Sequence, residues 1–456
     1  MTMDDTALSA LRELLGARVS DSQAERALHA GTEAHHAPGL PDAVVWPEST
    51  DEVAAIVRLC ARHGLAIVPF GAGSSLEGNA SAPQGGVCLD MTRMGRVLRV
   101  SPEDLDCTVQ AGVTREALNH HLRDSGLFFP VDPGANATLG GMAATRASGT
   151  TTVRYGSMRE AVLSLTVVTP EGEILRTAGR ARKSAAGYDL TRLFLGSEGT
   201  LGVITEVSLR LFGRPEQIRS AVCRFPDPDA ACRTAIEAIQ LGLPLARVEY
   251  LDAGCIRAVN AFSQRAEAET DTLFLEFHGA PAALEEQIAL FGEIAEGHGG
   301  TGFRWAEREE ERNALWRARH SAYNATVNQR AGAKGWATDV CVPVSALPDC
   351  ILHAKGLLAD VPVPASIMGH VGDGNFHVVF SVDTNSEAEM QAVKAFNDAL
   401  VAKALSVEGT CTGEHGVGLG KRKYMEAEHG PALALMRRLK TALDPAGLMN
   451  PGKIFP

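Results

Sequence analysis

Aromatic residues are scarce, 5% of a 456-residue chain, and no run of about 18 apolar residues occurs, so no transmembrane helix is expected. Long Lys/Arg runs are missing too, and the net charge is −12. That balance argues against nucleic acid or any other polyanion as a partner. The nine cysteines (Cys60, Cys88, Cys107, Cys223, Cys232, Cys255, Cys341, Cys350, Cys411) are scattered and never spaced CxxC. This excludes a ferredoxin-type cluster and suits reduced thiols in a cytoplasmic or matrix-like compartment. The opening MTMDDTALSALRELLG has no charged n-region, apolar h-region or cleavage site, and too little Arg for a transit peptide. A cytoplasmic location is expected, with contact at the inner-membrane surface left open.

What is present is a hydrophobic fraction of 45% and 46 glycines, which together describe a globular chain of two or three domains with many ligand-facing turns. Residues 5–30 read as one or two amphipathic helices, because Leu8, Leu11, Leu14 and Leu15 recur at helical spacing. From Ala43 the text becomes strand, helix, strand. Ser49 or Thr50 can cap the helix, Asp51 and Glu52 sit in its first turn, and Gly64 ends it. Short strands follow, then a helix from Thr114. Residues 130–152, rich in Gly, Ala, Thr and Ser, read as a long loop lining a ligand. VLSLTVVTPEGEILRT reads as a hairpin. After Gly213-Arg214-Pro215 the composition changes. Helices over 228–241, 282–297 and 386–405 then alternate with strands over 272–278, 339–343 and 366–381, which predicts an antiparallel sheet covered by helices. The fold class is α+β, with segments 1–40, 41–216 and 217–456.

Ile367 to Phe380 reads IMGHVGDGNFHVVF. With Asp373-Gly374 as a two-residue turn, His370 and His377 are directly opposed on one face, about 4.5–5.5 Å apart at Cβ. Two imidazoles so placed can chelate one ion, although a hydrogen-bonded pair on a hairpin would look the same. The run GTCTGEHGVGLG adds Glu414 and His415 side by side in a glycine-dense loop. Glu414 supplies a third ligand and His415 an acid/base group. Two histidines and one carboxylate leave coordination positions open for substrate.

In IVPFGAGSSLEGN a strand runs into Gly71, Gly73, Ser74, Ser75 and Gly78, a backbone nest suited to a pyrophosphate. The spacing departs from the Rossmann dinucleotide fingerprint. Taken with VVWPESTDEVAAIVRLC, VDPGANATLGGMAATRASG, GYDLTRLFLGSEGTLGVITE, HVGDGNFH, GEHGVG and NPGKIF in that order, the chain resembles the flavoprotein family of vanillyl-alcohol oxidase and p-cresol methylhydroxylase. Within it the motifs look most like flavin-type D-lactate dehydrogenases, glycolate oxidase D subunits and D-2-hydroxyglutarate dehydrogenases. The resemblance covers residues 40–456.

The resemblance implies FAD between a p-cresol methylhydroxylase-type FAD-binding domain (41–216) and a C-terminal substrate and metal domain (217–456). Pro69, Gly71, Ala72, Gly73, Ser74 and Ser75 would hold the pyrophosphate. Pro133, Gly134, Thr138, Gly140, Gly141, Ala144, Ser148 and Gly149 would run beside the isoalloxazine and ribityl chain. Glu198, Gly199, Gly202 and Ile204 would close around the adenine end. Some family members link FAD to a histidine in the first loop; Ser74 and Ser75 stand there, so non-covalent FAD is expected. The family's divalent metal, zinc or manganese, would fall on His370, His377 and Glu414, with His415 as base. Arg319 would take the substrate carboxylate, ahead of Arg317. Ala337 stands where D-2-hydroxyglutarate dehydrogenases carry a lysine, which favours a D-lactate-like monocarboxylate.

The implied activity is FAD-dependent oxidation of a small D-2-hydroxy acid, with hydride transfer to flavin N5 and metal-assisted deprotonation of the hydroxyl. Electrons would pass to a quinone, a cytochrome or an electron-transferring flavoprotein. A glycolate oxidase flavin subunit and a D-2-hydroxyglutarate dehydrogenase are the neighbouring readings. From a different class, a flavin-free metal-dependent hydrolase or metal-binding module could use the same His/His/Glu set. A homodimer is compatible with all of these.

Overall fold

The computed structural model describes residues 3–30, 36–264 and 266–456. The chain divides into two units. One holds the residues up to Ser148, Gly156–Arg214 and Glu414–Pro456; the other holds Gly149–Tyr155 and Pro215–Gly413.

The first unit is built on two larger sheets, of four and five strands, besides a two-stranded pairing of Leu127–Phe128 with Phe212–Gly213. In the smaller, strand Val87–Asp90 lies parallel between Ala43–Val45 and Ile67–Phe70. The helix Thr50–His63 covers it as its sequence predicts: Ser49 accepts from the Glu52 N–H, and Gly64 closes the end at φ 63°. Val53, Ile56, Val57 and Cys60 of that helix are buried against Leu89 and Ile67. The larger sheet is antiparallel, with Val203–Arg210 at its centre. The C-terminal segment returns to the smaller sheet: Ile67 N–H donates to Leu448 O and Asn450 N–H to Ile67 O, each at 2.8 Å.

The stretch 130–152 departs from the loop expected there, since Leu139–Thr145 is helical. The glycines are used for close packing. A Cβ on Gly140 would stand 2.6 Å from the Ala111 Cβ, so this short helix lies tight against the segment at Ala111, with Leu139 and Met142 in the core.

The second unit is an eight-stranded antiparallel sheet with helices packed on it, as the alternation beyond residue 215 predicts. Its order is Thr301–Ala306, Gln217–Phe225, Asp271–Gly279, Leu245–Leu251, Ala365–His370, Asn375–Val382 and Lys334–Ala337, with Val340–Cys341 also paired to 375–382. One apolar cluster joins Leu251, Phe274, Met368 and Val379 of the sheet to Ile256, Val259, Trp316 and Ala322 of the helices. No helix among the described residues is long and apolar enough to cross a membrane. Cys60, Cys88, Cys107, Cys223, Cys232, Cys255 and Cys350 are free thiols.

Asp252 gives a stability test of this unit. It caps the helix Ala253–Ser263 by accepting from the Cys255 N–H at 2.7 Å, and burial pushes its pKa up to about 6. The folded form therefore holds the proton more tightly than the unfolded form. Its contribution to stability grows as pH falls through 6, and above that the ionised, buried carboxylate opposes folding. Asn keeps the cap without the charge. D252N should be more stable than wild type at pH 8 by about 2 kcal/mol, with the gain vanishing near pH 4. Urea unfolding at the two pH values measures it; an equal or lower stability at pH 8 would reject the assignment.

Candidate active site

The hairpin register differs from the expected one. His370 pairs with Asn375, and Met368 with His377, so the loop is the four residues Val371–Gly374. Tertiary contact sets this length. Val342 N–H donates to Gly374 O at 2.9 Å, and a Cβ on Gly374, at φ 80°, would stand 2.0 Å from Val342 O. The shift is by two residues, so both histidines stay on one sheet face as diagonal neighbours, their ring centroids 5.6 Å apart.

Both rings are held through Nδ1. His377 Nδ1 lies 2.9 Å from Thr338 O, a carbonyl that can only accept, so Nδ1 carries the proton. His370 Nδ1 lies 2.7 Å from Glu249 Oε1. Burial would raise the Glu249 carboxyl, but His370 and Arg319 beside it bring it below the ordinary value. It is thus a carboxylate, and His370 Nδ1 is likewise the donor. Nε2 is then the lone-pair nitrogen of each ring, the arrangement of metal-binding histidines. The donor set fits a divalent ion.

Arg319, in the last turn of the helix Glu309–His320, places Nη2 2.7 Å and Nε 2.8 Å from Glu249 Oε2. Two nitrogens of the proposed carboxylate binder are therefore already held, and Nη1 is the one not given to Glu249. Glu249 was not legible from sequence: RVEYL reads as an ordinary strand. The same holds for Asp339, buried and accepting from Asn375 Nδ2 and Thr412 Oγ1, each at 2.8 Å. Ala337 pairs with Val379, two residues past His377, and so lies on the histidine face.

Glu414 and His415 belong to the first unit. Glu414 Oε2 accepts from Ser148 Oγ at 2.8 Å, and its Oε1 stands 3.5 Å from His415 Nε2. The loop following them wraps a buried carboxylate. Val417 N–H and Gly418 N–H donate to Glu198 at 2.7 and 2.9 Å, and Asn79 Nδ2 donates at 2.6 Å. Burial outweighs these donors and raises the Glu198 pKa. Gly416, at φ 76°, is required because a Cβ would meet Glu198 Oε1 at 2.8 Å.

Most of the residues assigned to FAD converge in the same unit. A Cβ on Gly71 would lie 2.2 Å from Thr138 Oγ1, and one on Gly199 would lie 2.9 Å from the Pro69 ring. Glu198 N–H donates to Ala144 O at 2.9 Å. Gly73 has φ 68°, and the loop through Ala72, Ser74 and Ser75 is at least partly exposed. Gly134 has open space where a Cβ would be, and Gly141 lies near Thr138. Such a set of close-packed loops with accessible backbone fits a dinucleotide cofactor. Two residues stand apart: Gly202 packs on Val167 and Val168, and Ile204 is in the sheet core. Gly149 falls in the second unit, where its N–H donates to Thr152 Oγ1.

Residues 41–178 match the FAD binding domain family, and residues 214–454 match the family of FAD linked oxidases, C-terminal domain. The chain is 50% identical over 453 residues to a probable mitochondrial D-lactate dehydrogenase of Danio rerio, covering 98% of this chain and 91% of that one. It is 45% identical to a mitochondrial cytochrome-type D-lactate dehydrogenase of Arabidopsis thaliana, covering 98% and 80%. In fold it is similar to p-cresol methylhydroxylase crystallised with substrate bound: TM-score 0.76 at 16% identity, over 99% of this chain and 96% of that one.

Proposed function

The chain belongs to the FAD-linked oxidases, in the group of the D-lactate dehydrogenases, and from this we infer that it oxidises D-lactate-like D-2-hydroxy acids to 2-oxo acids. The observation that carries the reading beyond the family is the histidine pair: two rings on one sheet face, each with Nδ1 committed to a buried oxygen. We assign His370, His377 and Glu414 to one divalent ion, zinc or manganese. Pro69–Ser75, with Thr138–Ala144, is assigned to the FAD. When bound, the flavin would supply the hydride acceptor and the ion would supply a Lewis acid that lowers the pKa of the substrate hydroxyl. His415 accepts the hydroxyl proton. Arg319 receives the carboxylate. Ala337 brings no cation to its end of the pocket, where a dicarboxylate would need one. Electrons leave to a quinone, a cytochrome or an electron-transferring flavoprotein.

Anaerobic flavin bleaching against a panel of D- and L-2-hydroxy acids tests this reading. D-lactate and D-2-hydroxybutyrate should bleach the flavin with higher kcat/KM than D-2-hydroxyglutarate. An unpaired distal carboxylate would be desolvated at a cost of several kcal/mol. Preference for the dicarboxylate, or bleaching by the L-acids alone, would overturn the pocket assignment.

Because Ser74 and Ser75 stand in the first loop in place of a histidine, the FAD should be held without a covalent link. Acid precipitation should release the yellow colour into the supernatant. Flavin left in the denatured pellet would count against this.

A further inference from the structure

The most informative group outside the assigned set is Glu249. It is fully buried on the strand Leu245–Leu251, one residue before Tyr250, which pairs with Gly369; Glu249 therefore lies alongside His370. A buried carboxylate persists only when its oxygens are satisfied. Here the two oxygens serve different elements. Oε1 meets His370 Nδ1 on the hairpin at 2.7 Å, and Oε2 meets Arg319 on the helix Glu309–His320 at 2.7 and 2.8 Å.

We propose that Glu249 is the positioning residue of the active site, fixing the His370 tautomer toward the metal and the Arg319 guanidinium toward the substrate carboxylate. The inference rests on the roles assigned to His370 and Arg319 above. One carboxylate sets the aim of both the metal ligand and the substrate anchor, so their relative placement is independent of the exposed loops. Charge-assisted bonds of this kind fix orientation more tightly than neutral ones, and outer-shell partners of metal-binding histidines tune ion affinity. The helix does not depend on Glu249 alone for docking. Trp316 Nε1 donates to Ser220 Oγ at 3.0 Å, and the Arg247 guanidinium lies 4.8 Å over the Trp316 ring.

Glutamine at this position offers one acceptor and one donor where two acceptors are needed. Whichever way its amide turns, either His370 Nδ1–H or Arg319 faces an N–H group. In E249Q holoenzyme, the Kd for Zn²⁺, read by competition with a chromophoric chelator, should rise about 10–100-fold. The KM for D-lactate should rise with it, while flavin content is kept. A merely structural role would lower Tm and leave both constants where they are. Should E249Q fail to fold, E249D keeps the charge but draws both oxygens back by one methylene; Zn²⁺ affinity and D-lactate affinity should both fall. A folded variant with wild-type Zn²⁺ Kd and wild-type KM overturns the proposal. Wild-type protein that binds neither Zn²⁺ nor Mn²⁺ would remove the metal assignment instead. The KM for D-lactate would then decide alone: a rise in E249Q sustains Glu249 as the positioning residue of Arg319, and no change overturns it.

Discussion

Replacing His377 by Ala is expected to lower D-lactate turnover by about 10³-fold or more, the scale of a lost metal contribution of several kcal/mol, while the protein stays yellow. The ring is oriented by Thr338 O at 2.9 Å, and no other side chain on that strand can replace its Nε2. The loops assigned to FAD, Pro69–Ser75 and Thr138–Ala144, lie in the other unit of the chain, so flavin absorbance should persist. Elemental analysis should show the ion lost together with activity, and Glu414→Gln should behave alike. If chelator-treated protein, metal-free by the same analysis, still reduced its flavin at the native rate, the metal site would be structural or absent.

His415→Asn should separate base from ligand. The ion should remain bound at wild-type stoichiometry, yet flavin reduction by D-lactate should slow about 10²–10⁴-fold, the usual worth of a general base. Stopped-flow reduction under anaerobic conditions isolates this step from reoxidation by the acceptor. The fold should tolerate the change, because the turn after His415 is held through the backbone, by Val417 and Gly418 N–H groups on Glu198. Loss of the metal in this variant would make His415 a ligand; an unchanged reduction rate would remove it from the chemistry.

Much of this architecture was legible because it is local. The helix Thr50–His63 begins at Ser49 and stops at Gly64 where the capping residues say it should. The helices Pro228–Gln240, Pro281–Gly297 and Glu387–Ser406 fall within a residue or two of the ranges read from periodicity. The histidine hairpin was legible as a hairpin, and its residue alternation was enough to put His370 and His377 on one face. The nearly uncharged stretch 130–152 misled, since the Gly140-Gly141 pair weighs against a helix until Ala111 and Val113 accept the N–H groups of Gly140 and Leu139.

By itself, then, the sequence determined the boundaries of the capped helices and the order of motifs, because capping, periodicity and turn chemistry act over a few residues. Only the tertiary structure decided the register of the hairpin, which depends on Val342 docking against Gly374. It alone returned Glu414–Pro456 to the N-terminal unit, through Leu448 and Asn450 on Ile67. It alone also set Glu249 between His370 and Arg319, 121 and 70 positions away along the chain. A glutamate in a strand is chemically silent until folding removes water from it and leaves two particular donors as its partners.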